Sequence, residues 1–114
     1  VAEAVLLRAQ AEIQTGDLTD ATSDINFVRV NQGGLPAYST FSDQTSAINA
    51  VLYEKRYSLL FTGAQRFVDL RAYSRLNATY LKKETAADIF QTTLPIPQAE
   101  VNPRGGIIPT PTCN

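Results

Sequence analysis

Two carboxylates, Glu54 and Asp69, and three guanidinium groups, Arg56, Arg66 and Arg71, lie within one stretch from Tyr53 to Arg71, packed among large apolar residues. Two kinds of chemistry fit such a set. A carboxylate pair flanking a cleft can hydrolyse a glycosidic bond, one group acting as acid and the other as base or nucleophile. On that alternative, Glu54→Gln would abolish a measurable hydrolysis. Nothing in the spacing fixes the separation of Glu54 and Asp69, however. The other chemistry is ion pairing. Arg66 and Asp69 stand three apart and meet on one turn of a helix. Glu54 and Arg56 stand two apart, cannot face each other, and each needs a partner elsewhere. The preferred reading is a structural charge network of Glu54, Arg56, Arg66, Asp69 and Arg71. It would orient two consecutive helices across a bend at Gly63. No catalytic residue is assigned.

The rest of the composition narrows the classes. The 114 residues are 44% hydrophobic and 18% charged, enough apolar content for one domain with a core. There is no histidine, the commonest general base near neutral pH and the commonest metal ligand, and there is one cysteine, Cys113. No metal and no cofactor is expected. Ten basic residues against eleven acidic ones leave a net charge of −1, without the basic excess of a nucleic-acid binder. The Lys82-Lys83 doublet, followed at once by Glu84, reads as a solvated face. No segment approaches the ~20 apolar residues that a membrane span needs.

These residues need elements to position them. Ala2, Val5, Leu6, Ala9 and Ile13 repeat at helical spacing from Val1 to about Thr15. Val1 lies inside this pattern, with no cap and no initiator methionine, so the chain is expected to be part of a longer one. Gly16 stops the helix and Asp17 caps the next, whose stripe is Leu18, Ala21, Ile25 and Val28. So short a connection folds the two helices antiparallel. The glycine–proline segment from Asn31 to Thr40 predicts a loop. Ser42 or Asp43 caps a third and longest helix, with Ile48, Val51, Leu52 and Leu59 on one side and Lys55 at the edge of that side. A break at Thr62-Gly63 precedes a fourth helix from Ala64 to about Arg75, with Phe67, Leu70 and Ala72 apolar. A short helical turn is expected over about 82–90. An extended proline- and glycine-rich tail follows, anchored by Leu94 and Ile96. Asn77-Ala78-Thr79 matches a glycosylation acceptor pattern that also arises often by chance.

The expected fold is therefore all-α: tetratricopeptide-like helical hairpins with an irregular C-terminal tail. The hairpin register rests on Gly16, Leu18 and the small Ala21, with no second copy near a 34-residue period. Among aromatic residues, Tyr38 in the loop is the candidate ligand-binding residue, able to offer a flat face to a sugar. Tyr53 and Tyr57, four apart on one helix face, read as core or edge packing.

Three ordered stretches together resemble the C-terminal half of the SusD/RagB family. They are Glu3 to Glu12 with Gly16-Asp17-Leu18 and Ala21 to Arg29; Glu54-Lys55-Arg56 through Phe61-Thr62-Gly63 to Arg66 and Asp69-Leu70-Arg71; and Leu94-Pro95-Ile96-Pro97-Gln98-Ala99-Glu100. The similarity spans nearly the whole chain. Ser58 and Thr62 depart from the family's more usual glutamates, and the stretch after Asn102-Pro103 lacks its final pattern. The resemblance implies that residues 1–114 are the C-terminal part of a non-catalytic capture protein. Such a protein is a surface-exposed outer-membrane lipoprotein held by an N-terminal lipid anchor. It takes up a glycan or oligopeptide and delivers it to a TonB-dependent barrel transporter, with this segment as helical scaffold. Ligand residues of the family mostly lie upstream, so none is carried over. Cys113 then reads either as a free thiol or, preferably, as paired with an upstream cysteine in an oxidising compartment. The alternative to capture is a tetratricopeptide-like protein–protein adaptor.

Overall fold

The computed structural model describes residues 1–63, 65–81, 84–89 and 96–106. Its regular elements are all helical: α1 (Ala2–Thr15), α2 (Leu18–Asn31), α3 (Gln44–Ser58), α4 (Gln65–Ala72), α5 (Gln98–Val101) and a 3-10 turn (Asn102–Arg104). The chain divides into two compact units, Val1–Ser74 and Arg75–Asn114.

In the first unit the α1–α2 hairpin forms where the sequence places it. Gly16 takes the left-handed conformation at φ 89°, and its N–H and that of Asp17 return to the Ile13 and Glu12 carbonyls. The Asp17 carboxylate then accepts from the Asp20 N–H at 3.1 Å, filling one of the open donors at the start of α2. A Cβ at Gly16 would meet no neighbour, so Gly16→Ala isolates the conformational cost. We expect that change to lower stability by about 1 kcal/mol, read as a shift in urea midpoint with unchanged slope.

Leu6, Ala9 and Ile13 of α1 meet Ala21, Ile25 and Val28 of α2 and Ala47, Ala50, Val51 and Leu52 of α3 in one core. Small residues on all three helices let the backbones approach closely. The connection from α2 to α3 is irregular but pinned. The Asn26 amide donates to the Tyr38 carbonyl (2.9 Å) and accepts from the Tyr38 N–H (2.7 Å). Gln44 donates to the carbonyl of Ile13 near the end of α1. Asp43, of the two candidates, caps α3 through the Ser46 N–H and hydroxyl, which hold its carboxyl below the usual range.

Three expectations need correction here. Lys55 is not at the edge of α3: it is buried with Val51, Leu52 and Leu59. The break after α3 comes earlier than Thr62-Gly63. The helix ends at Ser58, and the turn runs through Phe61, a bulky residue held at φ 66°. Finally, α4 stops at Ala72 rather than near Arg75, because Ser74 adopts φ 55° and its N–H returns to the Arg71 carbonyl. On α4, Leu70 is buried as expected, whereas Ala72 is exposed.

In the second unit, Asn77 closes a turn by accepting from the Thr79 N–H, and Arg75 lies over the Tyr80 ring. The Asp88 carboxylate gathers the Glu84 and Thr85 N–H groups and the Thr85 hydroxyl. The described part of the expected helical turn is thus a carboxylate-closed turn; Lys82, Lys83 and Phe90 lie outside the described residues. The tail is not wholly extended: α5 and the 3-10 turn follow Pro97, with Pro103 near the start of that turn, where a missing N–H costs nothing. Ile96 is about one-third exposed, while Leu94, Ile108 and Cys113 lie outside the described residues.

Candidate functional site

The charged stretch resolves into one part-buried and one buried ion pair on adjacent residues. Successive residues of a helix point about 100° apart, so Glu54 and Lys55 serve different neighbours. Glu54 turns toward α2, where its carboxylate accepts from Arg29 Nη1 at 2.7 Å. The same guanidinium donates to the Tyr38 hydroxyl (3.0 Å) and the Pro36 carbonyl (2.6 Å), and its carbon lies 4.1 Å from the Tyr38 ring centre. The hydrogen bond with Glu54 raises the Arg29 pKa above its ordinary value. Lys55 turns toward α4, where its ammonium donates to Asp69 at 2.8 Å and to the Gln10 side-chain oxygen of α1 at 2.8 Å. Gln10 in turn donates to the Tyr73 hydroxyl. One turn of α3 thereby ties α1, α2, α4 and the 32–38 loop together.

The expected network is partly redrawn by this geometry. Glu54 and Asp69 belong to it, but their partners are the part-buried Arg29 and the buried Lys55, neither of which the expected network includes. Arg56 and Arg71 are exposed, and Arg56 leans over the Tyr57 ring. Arg66 is half-buried on α4 beside the α3–α4 junction. Glu54 and Asp69 border different cavities, so the structure does not assemble them around one cleft. Among the described residues no group of histidine, cysteine, aspartate and glutamate could hold a metal, and no helix is long and apolar enough to cross a membrane.

The aromatic expectations exchange places. Tyr38 is half-buried, its hydroxyl engaged by Arg29 and Glu54 and its ring tilted against Phe41 at 5.4 Å. Burial raises the pKa of its phenol. Tyr38 borders a shallow depression shared with Asn49 and Tyr53. The more exposed rings are Tyr53 and Tyr57, with centres 4.7 Å apart. They form one wall of an open groove of about 480 Å³ with Leu35, Gln32, Ser58 and the edge of Glu54. Their spacing was visible in the sequence. Their exposure was not, because it follows from Glu54 and Lys55 taking the inward positions beside them.

A third charged cluster joins α1 to α2. Arg8 grips both oxygens of Asp24 through two N–H groups, while Glu12 stands 3.7 Å from the same guanidinium with one buried oxygen unpartnered. Burial, then the Asp24 charge, raises the Glu12 pKa. As pH rises through the ordinary carboxylate range, the unfolded chain releases this proton before the folded chain does. Stability attributable to Glu12 is therefore present below that range and lost as pH climbs through the raised value. Glu12→Gln should flatten this decline and gain ~0.5 kcal/mol at neutral pH, the usual size of a relieved like-charge contact on a helix. A urea series from pH 4 to 7 on both proteins checks it; a variant less stable at neutral pH would show that Glu12 is held by Arg8 instead.

Comparison with known proteins finds no matching family model, no matching curated protein and no matching solved structure.

Proposed function

We propose that the chain is the helical scaffold of a non-catalytic nutrient-capture protein. In this reading the protein is lipid-anchored at the outer-membrane surface and hands a glycan or oligopeptide to a TonB-dependent barrel. The observation that carries the reading is where the resemblance residues fall. Gly16, Ala21, Ile25 and Arg29 build the hairpin and its strut, and Glu54, Lys55 and Asp69 join α3 to its neighbours. The residues that carry the resemblance are thus the joints of the scaffold. This favours a tetratricopeptide-like support over a reactive carboxylate pair. The open Tyr53–Tyr57 wall adds a stacking surface of the kind that pyranose C–H faces and peptide side chains use.

The test is gentle detergent extraction of the protein from its own cells, with mass spectrometry of what co-purifies. A stoichiometric TonB-dependent barrel and an N-terminal lipid are the expected results. Recovery without lipid and only with soluble proteins would overturn capture and favour the adaptor.

A further inference from the structure

Two depressions follow one another along α3, and Tyr53 lines both. One, of about 350 Å³, is bordered by Tyr38, Phe41, Asn49 and Ala50. The other is the groove of about 480 Å³ walled by Tyr57 and Leu35, with Gln32 beside them. Ala50 and Tyr57 stand seven residues apart, close to two turns on one helix face, which sets the depressions ~10 Å apart along α3. Of the described residues lining either depression only Glu54 is charged, and Arg29 holds its carboxylate at 2.7 Å. The surface therefore offers aromatic rings and neutral hydrogen-bonding groups. The rings are not coplanar: Tyr53 and Tyr57 are tilted by 55°, and Tyr38 and Phe41 by 49°. Neither pair makes the single flat platform that a pyranose face would cover, whereas tilted rings suit small apolar wedges.

A polyproline II helix has three residues per turn and rises ~3.1 Å per residue, so prolines three apart project from one face at a spacing of ~9 Å. That spacing matches the two depressions. The same helix makes no internal hydrogen bonds, so its carbonyls can accept from the Gln32 and Asn49 amides and the Tyr53 hydroxyl. We propose that the two depressions bind an uncharged, proline-rich peptide in the polyproline II conformation, one proline in each, across Tyr53. The inference rests on the reading of this wall as a ligand surface and names the oligopeptide class for it. The chain's own proline pairs, Pro95 with Pro97 and Pro109 with Pro111, are spaced by two, a poor match to a three-residue repeat. The ligand is therefore a separate polypeptide.

Calorimetric titration of the full chain tests it, with a neutral peptide carrying prolines three apart, a peptide of the same composition with prolines two apart, and maltohexaose as probes. The first should bind saturably, the second at least about tenfold more weakly, and the sugar not at all. Tyr53→Ala removes the wall common to both depressions and should weaken the first peptide more than about tenfold, the size of a lost aromatic anchor. Tyr57→Ala should weaken it as well, while Tyr53→Phe keeps the ring and should retain most of the binding. Both tyrosines are about half exposed, and circular dichroism confirms that each variant is folded. Equal binding of the two peptides would overturn the proposal, as would undiminished binding by folded Tyr53→Ala or no saturable peptide binding at all. Maltohexaose bound in place of the peptide, and lost in Tyr53→Ala, would assign the groove to a sugar instead. Self-association lost in Tyr53→Ala, with no peptide bound, would assign it to a second copy. The titration needs neither lipid nor barrel, so its failure leaves the capture reading to the extraction test, and failure there leaves the peptide site standing.

Discussion

Replacing Lys55 by alanine should cost about 3–5 kcal/mol, the range for stripping one partner from a buried ion pair. The ammonium and the Asp69 carboxylate are each less than one-tenth exposed, so neither can recover its hydration when the other is removed. The lost side chain also leaves the Gln10 oxygen without its donor and opens a gap beside Val51 and Leu59. A domain this small has a total stability of about 5–15 kcal/mol, so the single change moves it close to unfolding. The double variant Lys55→Met, Asp69→Leu separates pairing from packing. Two apolar side chains of similar volume avoid the uncompensated charge, and most of the lost stability should return. Urea unfolding of the three proteins makes the comparison. A loss under about 1 kcal/mol for Lys55→Ala is what an exposed pair would give, and would remove Lys55 from the core.

Local signals in the sequence located the joints well, and the longer-range partners poorly. Gly16, Asp17 and Asp43 act within a few residues, through backbone conformation and capping, so their roles could be read from their neighbours. The all-α class followed from the same stripes. The ion pairs could not be read this way. Arg29 meets Glu54 across 25 positions and Lys55 meets Gln10 across 45, distances set by the register of the packed helices. Lys55 did carry a signal: it falls on the apolar stripe of Val51, Leu52 and Leu59. A charged residue there is either at the edge or buried with a partner, and Asp69 on the next helix makes it the second. Tyr38 misled for a related reason. Its glycine–proline loop suggested exposure, but Asn26 binds both backbone groups of Tyr38 and draws the ring over Arg29.

The same geometry makes Arg29 the residue on which the 32–38 loop depends, and Arg29→Ala should also cost about 3–5 kcal/mol. Glu54 is 4% exposed and would be left in the wall of α3 without its cation. The Pro36 carbonyl and the Tyr38 hydroxyl would lose a charged donor at the same time. Arg29→Lys distinguishes charge from shape. An ammonium can restore the pair with Glu54, but one point of charge cannot reach three acceptors held by a planar fork, so an intermediate loss of about 1–2 kcal/mol is expected. Hydrogen exchange gives the local reading. The Leu35 N–H, bound to the Arg29 carbonyl, and the Tyr38 N–H, bound to Asn26, should both lose protection in Arg29→Ala before the core of α1 does. Because Leu35, Tyr53 and Tyr57 share the open groove, a loosened loop should also change the exposure of those rings. If Arg29→Ala leaves Leu35 and Tyr38 protected and the unfolding midpoint nearly unchanged, the strut is not what holds the loop, and Asn26 alone would have to account for its order.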